Sequence, residues 1–274
     1  DTHFRLRYQT AESLAAKALH VNLSDLAAMG AAPQFVLLGL SIPPHFEPHT
    51  AQFLEAFSNA CKAEAIILIG GDTTRSNKQL MLSITAIGTA PNTNIKYRKH
   101  AKPGDLLCMA GQIGHAHLGL TALEQNQPEL FQYKNAFLNP TARIKEGIWL
   151  GQQPDVTSMM DTSDGLLIDL DRLCQASQLA CDVNLKAFKP HTNFQAACDT
   201  LAIDAISTQI SGGEDYGLMF SIKPKAYPRL AKQFKQHFKY DLKCIGEFKL
   251  NQSNQNITWL QDNQPISFNI KPFL

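Results

Sequence analysis

The sequence predicts an α+β protein built as two domains, on three observations. Helix-period and strand-period apolar segments are both present, but they do not alternate in the regular βαβ rhythm of a doubly wound sheet. A polar, basic, turn-rich stretch over residues 92–105, ending in Lys102-Pro103-Gly104-Asp105, interrupts the pattern and marks a boundary. The chain has 274 residues, 44% of them hydrophobic and 18% charged, enough for two modest cores. The division expected is 1–100 and 101–274.

The elements follow in order. Residues 10–30 read as an amphipathic helix, with Thr10 as cap, Glu12 in the first turn and Gly30 at the close. Residues 35–42 form a buried strand stopped by Pro43-Pro44. A second helix runs through Phe53, Phe57 and Cys61. A strand over 65–69 is expected to end on Gly70-Gly71-Asp72, and residues 80–89 alternate as a half-buried strand. Past the boundary, 106–110 restarts a strand, with helices around 118–125 and 142–152. The strand 157–160 leads into Asp161-Thr162-Ser163-Asp164-Gly165, and a helix opens at Leu166. A strand over 216–222, a Lys-rich helix near 228–238 and short C-terminal strands complete the chain.

Composition excludes several functions. Twenty-five basic against 24 acidic residues leave a net charge of +1, too little excess to bind nucleic acid through many phosphates. The longest apolar run, 35–42, is far short of the roughly 20 residues that cross a bilayer. No secretory leader pattern is visible, although the sequence starts at Asp1 without a Met. The six cysteines show no C-x-x-C pair and no zinc spacing, and read as reduced thiols of a cytoplasmic protein.

Chemistry is expected where elements end. Asp25, Asp72, the pair Asp161 and Asp164, and Glu214-Asp215 all sit at such positions, where side chains can converge on a cleft. Asp is a short, stiff carboxylate suited to Mg²⁺, which demands oxygen ligands in tight octahedral geometry. Two carboxylates about 4 Å apart repel by roughly 4 kcal/mol at an effective dielectric of 20, so a cluster of them implies a cation. The competing reading makes each Asp a turn or helix cap. The pairs Gly70-Gly71 and Gly212-Gly213 let backbone approach a phosphate, or are plain tight turns, and neither a P-loop nor a G-x-G-x-x-G is present. His115 and His117 read as a solvated loop or helix start rather than a zinc site. The lysines around 223–243 read as the basic outer face of an amphipathic helix.

Five motifs occur in order: Asn22-Leu23-Ser24-Asp25-Leu26-Ala27-Ala28-Met29-Gly30-Ala31, Gly70-Gly71-Asp72-Thr73-Thr74, Ala101-Lys102-Pro103-Gly104-Asp105, Asp161-Thr162-Ser163-Asp164-Gly165-Leu166 and Ser211-Gly212-Gly213-Glu214-Asp215-Tyr216. The set closely resembles the thiamine-monophosphate kinases of the aminoimidazole ribonucleotide synthetase-like superfamily. The resemblance implies an N-terminal mixed domain that pairs with its twin into a dimeric sheet or barrel, and a C-terminal α+β domain. It implies transfer from ATP to thiamine monophosphate with Mg²⁺, the last step of thiamine diphosphate biosynthesis. By the same resemblance Asp1, Asp25, Asp72, Asp161 and Asp164 are metal ligands, and Gly71, Asp72, Arg98 and Ser163 contact ATP. His3, Glu214 and Phe273 correspond to substrate contacts. The family carries a Gly-Asp-Asp motif upstream of Asp1 and a few more residues before His3, so Thr2-His3 reads as a splice over a missing loop. Alternatives are a sister enzyme of the superfamily with another acceptor, or a non-catalytic nucleotide-binding relative.

Overall fold

The computed structural model describes residues 3–252 and 255–267. Helix α1 (Ala11–Ala28) begins at a capping box: the Ser13 amide donates to Thr10 Oγ1 at 3.2 Å, and the Thr10 amide to Ser13 Oγ at 3.0 Å. Strand β1 (Ala32–Ile42), helix α2 (Thr50–Ala63) and strands β2 (Ile67–Arg75) and β3 (Met81–Thr89) follow. They form a sheet of order β2-β1-β3, with β2 parallel and β3 antiparallel to β1. Alternate residues of β1, Val36, Leu38 and Leu40, are buried against Leu14, Leu19 and Leu23 of α1 and Phe53 and Phe57 of α2. The helices thus cover one face, and the period of two leaves the other face open.

One strand differs from its sequence reading. β2 does not end on Gly70-Gly71-Asp72 but runs through them to Arg75, paired with β1 as far as Ile42. Glycine permits this, because a Cβ on Gly71 would lie 1.9 Å from the Leu38 carbonyl oxygen. The turn signal of two glycines is here a signal for close strand approach.

The remaining chain builds a second sheet. Its strands are β4 (Leu106–Ala110), β5 (Val156–Thr162), β6 (Leu179–Asn184), β7 (Gly217–Ile222), β8 (Lys243–Leu250), β9 (Ile257–Gln261) and β10 (Gln264–Ile266), in the order β10-β9-β6-β8-β4-β7-β5. Helices α3 (His115–Glu124), α4 (Phe131–Leu138), α5 (Ile144–Gly151), α6 (Leu166–Ser177), α7 (Thr192–Thr200), α8 (Ala205–Ser211) and α9 (Tyr227–Phe238) surround it. Both faces are covered. On β4, Leu107 and Met109 join a core with Leu166, Leu170 and Leu173 of α6, while Cys108 and Ala110 join another with Leu230 and Phe234 of α9. A strand buried on both faces reads as a continuous apolar run, as residues 106–110 do. α9 buries Leu230 and Phe234 while Arg229 and Lys235 pair with Asp155 and Asp241 outside, as an amphipathic helix requires.

The sheets are joined through α1. A Cβ on Gly147 of α5 would stand 2.2 Å from the Ala27 carbonyl oxygen, so the two helices touch backbone to backbone near the C-terminal end of α1.

His115 and His117 open α3, and both are partly buried there rather than freely solvated. His115 stacks on Phe194 at 5.2 Å and meets the Tyr133 ring edge-on at 5.1 Å. Burial pulls both imidazoles down to about 4 from their ordinary 6.5. They are therefore neutral in the fold, while in the unfolded chain they gain a proton as pH falls through 6.5. Stability linked to them is present above pH 6.5 and lost as pH falls toward 4. A thermal melt at pH 5 should show a Tm below that at pH 7, and His115→Phe should reduce the loss of stability between the two by on the order of 1 kcal/mol. An unchanged pH slope in that variant would remove His115 from the account.

Candidate functional site

α1 turns Leu14, Lys17, Val21 and Asp25, spaced three or four residues apart, toward a cleft of about 340 Å³. Its other wall is the end of β5 and the loops after β5 and α8, which contribute Asp161, Ser163, Asp164 and Glu214. Ser24 Oγ donates to Asp161 Oδ2 at 2.7 Å and fixes that carboxylate at the C-terminal end of β5. Burial raises Asp25 above the ordinary carboxylate range, with the charge of Arg98 opposing. Burial also raises Asp161; the Ser24 hydrogen bond opposes that shift, while the charge of Asp25 adds to it. Two carboxylates that repel each other in a partly desolvated cleft, with a guanidinium near both, form a site ready for cations and phosphates.

The loops that carry these groups are tied together. The Glu214 amide donates to the Ser163 carbonyl at 2.7 Å and the Tyr216 amide to the Thr162 carbonyl at 3.0 Å. Gly165 sits at φ +103°, where a Cβ would lie 2.7 Å from the Ser211 carbonyl oxygen. A Cβ on Gly213 would lie 2.8 Å from the Ser163 carbonyl oxygen. These glycines therefore let the two acidic motifs abut. Glu214 and Tyr216 occupy left-handed backbone at φ +68° and +51°, strain of the kind held at functional sites.

Asp164 is held by an ion pair with Arg172. Its amide donates to Asp169 Oδ2 at 3.0 Å, and Arg172 reaches Asp169 Oδ1 at 3.1 Å. Asp169 is fully buried, and that burial pushes it up to about 7. Sequence reasoning missed Asp169, although an acid in the first turn of α6, able to reach back to an amide before the helix, is a legible capping signal.

The cleft also holds a second charge group, in which Glu214 and His3 were expected and Lys17 was not. Lys17, 3% exposed, places Nζ 2.6 Å from Glu214 Oε2, and His3 Nδ1 lies 3.7 Å from Glu214 Oε1. The cleft thus brings together Asp25, Asp161, Asp164, Ser163, Glu214 and His3. Gly71 and Asp72 lie elsewhere, on the exposed strand β2, where Asp72 Oδ1 accepts from the Thr73 amide at 2.9 Å. Asp215 points away and caps α3, accepting from the Gly114 and Ala116 amides at 2.5 and 2.8 Å. For that residue the cap reading is the right one. Asp1 and Phe273 fall outside the described residues. Among the described residues, no three His, Cys, Asp or Glu side chains form a group that could hold a metal ion.

Comparison with known proteins gives this geometry its context. Residues 1–90 match the family model of the AIR synthase related protein N-terminal domain. The thiamine-monophosphate kinase of Haemophilus influenzae is 33% identical over 97% of this chain and 80% of its own length. Among solved structures, the thiamine-monophosphate kinase of Stenotrophomonas maltophilia superposes with a TM-score of 0.83 at 29% identity, covering 96% of this chain and 82% of that one. The AaThiL complex with AMPPCP and TMP has the same fold, with a TM-score of 0.83 at 23% identity over 97% of this chain and 82% of that one. With a relative 33% identical over almost the whole chain and most of its own length, the protein belongs to the thiamine-monophosphate kinase family.

Proposed function

We propose that this chain transfers the γ-phosphoryl group of ATP to thiamine monophosphate, giving thiamine diphosphate and ADP by direct in-line displacement. The observation that carries the reading is the pairing of Asp25 with Asp161 beside Arg98 at one end of a cleft with an acidic residue, Glu214, at the other. The acceptor is a phosphate monoester with a second pKa of about 6, so its oxygen is already ionised at neutral pH and needs no general base. The barrier lies in bringing two polyanions together. Arg98 lowers that repulsion from the protein side, and Ser24 keeps Asp161 turned to the same place.

Mg²⁺ fits this donor set. It takes oxygen ligands, keeps several waters, and binds through one or two carboxylates together with substrate phosphates. Asp25 and Asp161 would hold it, with Asp164 next to them; Asp1 and Asp72 are the further ligands that the family resemblance implies, Asp72 standing outside this cleft on β2. When bound, the ion supplies charge neutralisation of the β- and γ-phosphates and alignment of donor with acceptor. Gly71, Asp72, Arg98 and Ser163 are assigned to ATP, and His3, Glu214 and Phe273 to thiamine monophosphate. Residues 1–100 form the metal, ATP and dimerisation domain, and 101–274 the C-terminal domain.

The homodimer is supported by apolar surface that this chain leaves uncovered. Ile67 and Ile69 on edge strand β2 are 59% and 51% exposed, and Met81 on β3 is 63% exposed. An exposed apolar strand edge is normally paired or covered. A cytoplasmic location agrees with six cysteines that are all free thiols, and no helix among the described residues is long and apolar enough to cross a membrane.

The test is ADP release with thiamine monophosphate, with thiamine and with no acceptor. Turnover with the monophosphate alone, abolished by EDTA and restored by Mg²⁺, is expected. Binding of ATP without turnover on the monophosphate overturns the reading.

A further inference from the structure

Lys17 is the one cation of α1 buried in the wall of the cleft, and the kinase reading gives it no task. Its Nζ lies 2.6 Å from Glu214 Oε2 and 3.1 Å from the Phe137 carbonyl, and 3.9 Å above the centre of the Phe137 ring. A buried ion pair is a poor device for stability, since removing two charges from water costs about what their attraction returns. The two carboxylate oxygens of Glu214 are in unlike settings. Oε2 is buried on the Lys17 side, where the contact is an ion pair without hydrogen-bond geometry, and Oε1 faces His3, whose side chain is 79% exposed. Lys17 lies eight residues before Asp25, two turns or roughly 12 Å along the helix.

We propose that Lys17 is the positioning residue for Glu214: it grips one carboxylate oxygen and keeps the other turned into the cleft to receive the cationic ring system of thiamine monophosphate. The proposal rests on the kinase reading above. Thiamine monophosphate carries its phosphate at one end and a thiazolium cation and aminopyrimidine toward the other. A molecule spanning the cleft places the phosphate near Asp25 and Asp161 and its positive rings near Glu214. Glu214 also needs a tether, because its left-handed backbone at φ +68° is held by the surrounding loop and not by its own preference. Burial pulls the Lys17 ammonium below its ordinary range, and its contact with Glu214 opposes that pull.

The test compares Lys17→Met, Glu214→Gln and the double variant, each titrated calorimetrically with thiamine monophosphate and with ATP, and assayed for ADP release. Lys17→Met should weaken thiamine monophosphate binding and raise its KM by about tenfold to thirtyfold, while ATP binding stays within about twofold. In the Glu214→Gln background the same substitution should change binding by less than about twofold, because its effect runs through the missing carboxylate. Equal weakening for both ligands, full additivity in the double variant, or no change for thiamine monophosphate overturns the proposal. If Lys17→Met fails to fold, Lys17→Gln decides. Neutral and no bulkier than lysine, it should weaken thiamine monophosphate binding while ATP binding stays within about twofold, and equal weakening of both ligands or none for thiamine monophosphate would overturn positioning. Absence of any acceptor-dependent turnover in the wild-type enzyme would instead sink the kinase reading, and is distinguishable from all of these.

Discussion

Asp25→Asn should lower turnover by on the order of a thousandfold, about 4 kcal/mol of transition-state stabilisation, while the protein folds normally. The substitution keeps the shape of the side chain and removes its charge. An amide cannot repel Asp161, so the feature that makes this end of the cleft demand a cation disappears. Asp25 is also the carboxylate with most to lose: Asp164 is already compensated by Arg172 and Asp161 is held by Ser24. Stability should move the other way. Burial raises Asp25, which means that its charged form is disfavoured in the fold, so the neutral amide should leave Tm unchanged or slightly higher. The measurements are kcat for ADP release at saturating Mg²⁺ and a thermal melt of both proteins. Activity close to wild type would remove Asp25 from the metal site, and a Tm drop of several degrees would recast it as a structural residue.

The contrast between Asp25 and its neighbours shows what a sequence can disclose. The carboxylates at the ends of α1 and β5 were legible, because an acid beside small residues at the end of an element has few reasons to be there. The same reasoning also picked Asp215, which the fold uses to cap α3 by accepting from the amide of Gly114, 101 positions earlier in the chain. No local pattern distinguishes the two uses; only the meeting of the α8–β7 loop with α3 does. Lys17 was illegible for a related reason. Its partner Glu214 lies far along the chain, and a lysine on an amphipathic helix is ordinarily solvated. The strand end expected at Gly70-Gly71-Asp72 is a misreading of another kind. The Gly-Gly before Asp72 looked like a strand end, and the strand instead continues because glycine lets β2 press against the Leu38 carbonyl. Fold class was easier to read than these sites, since it depends on apolar periodicity summed over many residues. The short helices α7 and α8 and strand β6 escaped the reading, because their burial is set by contacts that the local pattern does not encode.

Gly147→Ala should destabilise the protein by about 2 kcal/mol and lower Tm by about 5 °C. In an exposed helix the same change would help, since alanine is favoured over glycine by about 1 kcal/mol. Here the new methyl would stand 2.2 Å from the Ala27 carbonyl oxygen, 2.8 Å from its carbonyl carbon and 2.9 Å from its Cα. The obstacle is main chain on both sides, so no rotamer change relieves it, and α5 must move away from α1. That movement opens the core in which Ala27, Ala28 and Leu150 pack together. It also disturbs α1 two residues from Asp25, so kcat should fall with stability even at temperatures where the variant is fully folded. Gly151→Ala is the internal comparison: its Cβ would meet Asn94 O and Gly30 Cα at 3.0 Å, a milder contact that should lower Tm less. Loss of stability with unchanged kcat would mean that α1 holds Asp25 independently of α5. A Gly147→Ala protein as stable as wild type would show that the helices can separate without penalty, and the close backbone approach would then have no part in building the cleft.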